Sequence, residues 1–230
     1  MQPGTEHSGL GGQVRRVRRH PSAVLLVCQL LAVLLYPFLS DSWPGRAVLG
    51  VVGMVVVGLA LWAVRRTPAL NVIAFALGLP ALGFTVLDAA FPANDPIGLT
   101  SSLLHAPFYF YVSYGMIRYL FHDEHVSTDE LYATGAAFTV VAWGFAYVFS
   151  AVEIIWPGSF ATPGGSSDPN DWFQLLYLSF TTLTSVGLSD VAPVLAHARS
   201  VVMLEQLAGV MYVALVVARL VGLTITRRDR

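Results

Sequence analysis

Apolar residues dominate this chain in six long runs, at about 22–39, 46–64, 68–88, 98–121, 129–155 and 198–223, separated by short polar or proline-containing stretches. A helix needs roughly 20 mostly apolar residues to cross a bilayer, so the pattern predicts six membrane-spanning helices. Pro37, Pro44, Pro68 and Pro96 fall at or near the ends of runs, where proline caps or stops a helix. Pro80 falls inside the third run and predicts a kink, which a helix bundle tolerates when neighbours satisfy the freed carbonyl. Between the fifth and sixth runs the pattern changes. Gly158–Asn170 is a Gly/Ser/Pro loop, and Asp171–Thr184 reads as a short helix with Asp171 as its N-cap and Trp172, Phe173, Tyr177 and Phe180 along it. That helix is too short to cross. Re-entrant backbone at membrane depth needs protein or water around it, so the segment implies a cavity or a pore.

Composition agrees with the bilayer. Hydrophobic residues make up 55% of the chain and charged residues 12%, too few to coat a water-soluble domain. The single cysteine, Cys28, excludes an intrachain disulfide framework and a cysteine-based zinc cluster. The first run continues into Asp41–Pro44 without a small-residue cleavage site and is read as a retained span.

Charge sets the expected orientation. Every basic residue other than histidine is arginine: Arg15, Arg16, Arg18 and Arg19 precede the first run, Arg65 and Arg66 join the second and third, Arg118 ends the fourth, and Arg227, Arg228 and Arg230 follow the sixth. Six crossings place these four clusters on one side, which is then cytoplasmic, with both termini there. The opposite loops carry Asp41, Asp95, Asp168 and Asp171, with Arg46 and Arg199 as the basic exceptions. The expected organisation is a cytoplasmic segment at 1–21, a four-helix membrane domain at 22–128, a pore domain at 129–225 and a cytoplasmic tail at 226–230. The Gly-rich start is read as disordered, and its arginines as a plain topology signal, with contact to anionic lipid as the alternative.

The stretch Thr182-Leu-Thr-Ser-Val-Gly-Leu-Ser-Asp190 resembles the selectivity-filter signature of the potassium-channel superfamily, Thr-x-Thr-Thr-Val-Gly-Tyr-Gly-Asp. Thr182, Thr184, Val186, Gly187 and Asp190 match it unchanged, Ser185 replaces a threonine, and Pro193 follows at a spacing common after such filters. The sixth run, with Glu205, Gly209, Tyr212 and Ala218–Gly222, is similar to the inner helix of bacterial channels with this module. The resemblance covers about 129–223 and implies an all-α, six-span homotetramer of the plasma membrane conducting monovalent cations, K+ favoured over Na+. Each subunit would contribute one strand of filter. Carbonyls of Thr184 through Ser189 would replace the ion's water shell, Ser185 would add its hydroxyl, and Asp190 would form a carboxylate ring at the outer mouth.

Two positions depart from the signature. Leu188 stands where the family has a tyrosine whose hydroxyl braces the filter against the pore helix, and Ser189 stands where it has a second glycine. A left-handed backbone at that position costs a non-glycine residue roughly 1–2 kcal/mol, which predicts a changed outer filter with fewer ion sites. Thr181, Tyr177 and Glu205 are the candidate braces. Gly209 is a candidate hinge or a close-packing residue, and Val210, Val213, Ala214, Val217 and Val221 follow from it as an apolar pore lining able to gate by dewetting. Arg219 is placed to snorkel or pair at the cytoplasmic end.

The fourth run contains His105 and only a terminal Arg118, not the spaced arginines that a voltage sensor needs. His105 itself reads as an interhelical hydrogen-bonded residue or a proton sensor. The competing readings are a non-conducting channel-like sensor and a membrane-embedded metal enzyme built on His122, His125 and Asp129. No nucleophile elbow or phosphate loop is present, and nothing indicates nucleic-acid binding or a bound cofactor.

Overall fold

The computed structural model describes residues 21–39, 45, 48–49, 52–53, 55–56, 58–59, 68–91, 94–121, 128–161 and 172–228. The N-terminal arginines, Arg65 and Arg66, the His122–His125 segment, the Gly164 run and Asp171 lie outside the described residues, as does much of the second predicted span. The named helices are α1 (Pro21–Leu39), α2 (Pro68–Ala90), α3 (Asp95–Leu120), α4 (Thr128–Ile155), α5 (Trp172–Leu183) and α6 (Ala196–Arg228). Two two-residue strands, β1 (Phe160–Ala161) and β2 (Ala192–Pro193), pair antiparallel.

Three of these helices contain stretches long and apolar enough to cross a membrane: Ser22–Leu39, Leu131–Ile155 and Ala196–Arg219. The apolar part of α2 is shorter, Val72–Asp88. Helix α3 has the length but carries Ser101, Ser102, His105 and Ser113, all buried. Two of its serines reach a neighbouring helix: Ser102 donates to the Ser150 hydroxyl at 3.2 Å, and Ser113 to the Ala137 carbonyl at 3.4 Å. Pro37, Pro80 and Pro107 all lie inside continuous helices, so Pro37 does not end α1.

Helix α4 is the hub. Its buried Ala133, Ala136, Ala137, Val140 and Ala146 present a small-residue face to the core that also holds Leu25, Phe108, Tyr109 and Val112. Where no hydrophobic gain drives helices together in lipid, such small residues permit the close approach on which dispersion contacts depend. Asp129 at the start of α4 accepts a hydrogen bond from Ser22 at the start of α1, 3.2 Å. His105 bridges three helices: one ring nitrogen lies 3.0 Å from the Thr85 hydroxyl of α2, the other 2.8 Å from the Ser101 carbonyl, and the ring stacks on Tyr147 of α4 at 4.5 Å.

Candidate pore module

Helix α5 stops at Leu183 and the chain turns back on it at once. The Thr184 amide donates to the Phe180 carbonyl at 3.1 Å, and the Ser185 amide to Thr182 at 3.0 Å. The Val186 and Gly187 amides both donate to the Thr181 carbonyl, each at 3.0 Å. These bonds use the carbonyls that a helix C-terminus leaves without partners. They also commit the N–H groups of Ser185, Val186 and Gly187 toward the helix. None of the carbonyls of these three residues accepts a hydrogen bond among the described residues. Thr181 acts here through its backbone, since its hydroxyl turns back to Leu178 at 2.9 Å.

The backbone alternates in handedness, with φ of +60° at Ser185 and +68° at Gly187. Gly187 takes the left-handed form freely, whereas Ser185 bears a cost of roughly 1–2 kcal/mol. Ser189, at the second glycine position, is not left-handed. Its hydroxyl instead accepts a hydrogen bond from the Val191 amide at 3.1 Å. The strain expected at Ser189 is therefore carried four residues earlier.

The missing tyrosine at 188 has a counterpart on the helix. Tyr177 donates its hydroxyl to the Leu188 carbonyl at 2.8 Å. The tie between strand and helix is thus made from the opposite side, and it occupies a backbone oxygen. Asp190 is exposed at the end of this segment.

Helix α6 packs one stripe inward: Ala198, Val202, Glu205 and Gly209 are buried. A Cβ on Gly209 would overlap the carbonyl of Leu183, the last residue of α5, so this glycine permits close approach of α6 to the pore-helix end. Val210, Val213, Ala214, Val217 and Val221 are exposed in the single chain. Glu205 is fully buried and hydrogen-bonds with Ser179 of α5, whose hydroxyl also lies 2.8 Å from the Ala142 carbonyl of α4. Tyr212 adds a second tie, donating to the Thr134 carbonyl at 2.6 Å. Arg219 stacks over the Phe121 ring with its guanidinium carbon 5.1 Å from the centroid.

The loop outside α4 is held by Glu153, a residue no motif singles out. Its two carboxylate oxygens accept from the Gly158 amide at 2.8 Å and the Phe160 amide at 3.0 Å. Phe160 and Ala161 then pair with Pro193 and Ala192, so this hairpin anchors the segment that leaves the filter-like stretch. The only sequence signal for Glu153 is an acidic residue inside an apolar run. Among the described residues no group of three His, Cys, Asp or Glu side chains is arranged to hold a metal ion.

Residues 135–225, less than half of the chain, match a family described as ion channel. They run from α4 through α5 and the reversed segment to α6. An ion-channel domain is not an enzyme, and the enzyme reading is set aside on this match. No curated protein and no solved structure matches the chain.

Proposed function

We propose that this protein is a homotetrameric membrane channel conducting monovalent cations, with K+ favoured. The observation that carries the reading is the row of uncommitted carbonyls at Ser185, Val186 and Gly187. Oxygen ligands replace a cation's water shell, and four such rows around an axis form successive sites. Supporting it, the match to an ion-channel family covers this segment and both flanking helices. The face of α6 bearing Val210, Val213, Ala214, Val217 and Val221 lacks cover in one chain, as a pore lining would. The carbonyl of Leu188 is held by Tyr177 and is subtracted from the ligand set, which leaves a filter shorter at its outer end. Ser185 supplies the innermost hydroxyl and Asp190 the outer ring of charge. The proposal includes six crossings, arginine-rich ends in the cytoplasm and lipid contact for the outer faces.

Ion flux into liposomes containing the purified tetramer tests this, with K+ and Na+ gradients compared and Gly187→Asp as the control. K+ flux above Na+ flux, abolished by the substitution, supports the proposal. Equal fluxes refute selectivity, and no flux in either gradient from a tetrameric protein moves the assignment to a channel-like sensor.

A further inference from the structure

A cavity of about 310 Å³ lies among α1, α2, α3, α4 and α5, with Leu49, Val52 and Gly53 also lining it, apart from the filter-like segment. That volume is at the lower end of those that hold small organic ligands. Its wall includes Tyr36, Trp143, Tyr147, Trp172 and Phe173. These rings support one another: Tyr36 stacks on Phe173 at 4.3 Å, and Trp172 meets both Trp143 and Tyr147 at 5.4 Å. A rigid aromatic wall presents negative ring faces to a cation.

Besides the neutral Thr85, Asn94, Ser102 and Ser150, the cavity carries two kinds of polar group that bear on its ligand. Asp88 and Asp95 line it, and no basic side chain does so among the described residues. Asp88 makes no hydrogen bond or ion pair among the described residues. A half-buried carboxylate without a partner is costly, and a cation relieves it. The indole nitrogens of Trp143 and Trp172 are buried without an acceptor among the described residues, although Trp143 itself is only 4% exposed. Buried indole N–H groups ordinarily find a partner.

We propose that this cavity binds a small organic amine that also carries an oxygen acceptor. The ammonium pairs with Asp88 and lies against the aromatic wall, while the oxygen accepts from the indole N–H groups. Because Trp172, Phe173 and Leu176 belong to α5, the occupant touches the helix that leads to the filter-like segment.

Calorimetric titration of the full chain in lipid nanodiscs tests the assignment, with tyramine, phenethylamine and 4-ethylphenol as probes. Tyramine is expected to bind saturably, and each partial analogue at least tenfold more weakly. Asp88→Asn should weaken tyramine at least tenfold and leave 4-ethylphenol within twofold. Since Asp88 holds no other group, this isosteric change is expected to leave folding intact. Trp143→Phe should narrow the gap between tyramine and phenethylamine. Equal affinities for all three probes, as a greasy crevice would give, overturn the proposal. So does the absence of saturable heat, or tyramine binding indifferent to Asp88→Asn. Heat of binding is read independently of ion flux, so failure of the channel reading leaves this test intact.

Discussion

Substituting Gly209 by alanine adds one methyl group where the structure has no room for it. The atoms it would meet are the backbone oxygen, carbon and Cα of Leu183, not the end of a flexible side chain. Helix α6 or the end of α5 must therefore move. In an open helical position the same substitution is favourable by roughly 1 kcal/mol, because glycine has more conformational entropy to lose. At Gly209 the overlap exceeds that gain, and overpacking of this kind costs about 1–3 kcal/mol. Gly83 of α2 provides the internal control, since a Cβ there meets nothing within 4 Å. Thermal unfolding of the two variants in the same detergent reads the difference. On the scale for chains of this length, about 2–4 °C per kcal/mol, Gly209→Ala should lower Tm by about 2–12 °C. Gly83→Ala should leave Tm unchanged or raise it by a few degrees. Because Leu183 stands two residues before Ser185, Gly209→Ala should also reduce K+ flux in liposomes. Equal Tm values for the two variants, or a Gly209→Ala protein with unaltered Tm and flux, would refute the close-packing argument.

Three other substitutions probe separate contacts. Tyr177→Phe removes the hydroxyl that holds the Leu188 carbonyl; it should cost about 1 kcal/mol per chain and change the K+/Na+ flux ratio, whereas an unchanged ratio would place this contact outside the conduction path. Glu153→Gln leaves one of the Gly158 and Phe160 amides facing an N–H group instead of an oxygen, and should destabilise by about 1–3 kcal/mol, visible as a lower Tm. Ser185→Gly relieves roughly 1–2 kcal/mol of left-handed strain but deletes a candidate ion ligand, so Tm should hold or rise while K+ flux falls. If flux instead rises with Tm, the Ser185 hydroxyl is not a ligand.

How much of this was legible in the sequence depends on how far apart the interacting groups lie. Long apolar runs, the short aromatic helix and the Thr182–Asp190 stretch are local patterns, and local patterns survive in one dimension. The expected boundaries of α4 and α5 differ from the observed ones by one residue at each end that moved. The role of Ser189 was only partly legible: its departure from glycine signals an altered backbone, but not that the left-handed residue would be Ser185. The span count was less legible, because α3 hides Ser101, Ser102, His105 and Ser113 among neighbours that satisfy or enclose them.

By itself the sequence determined that the chain is built of long apolar helices with one short aromatic helix among them, since in lipid a helix pairs its backbone groups within itself. Only the tertiary structure decided which side chains serve that helix and the reversed segment after it. Tyr177 reaches Leu188 because the chain reverses after Leu183, and Ser179 links Glu205 to Ala142 because three helices converge there. Glu153 holds a loop whose ends meet again at Phe160 and Pro193. Hydrogen bonds and steric contacts act over a few ångströms, and folding alone brings residues distant in the chain within that range.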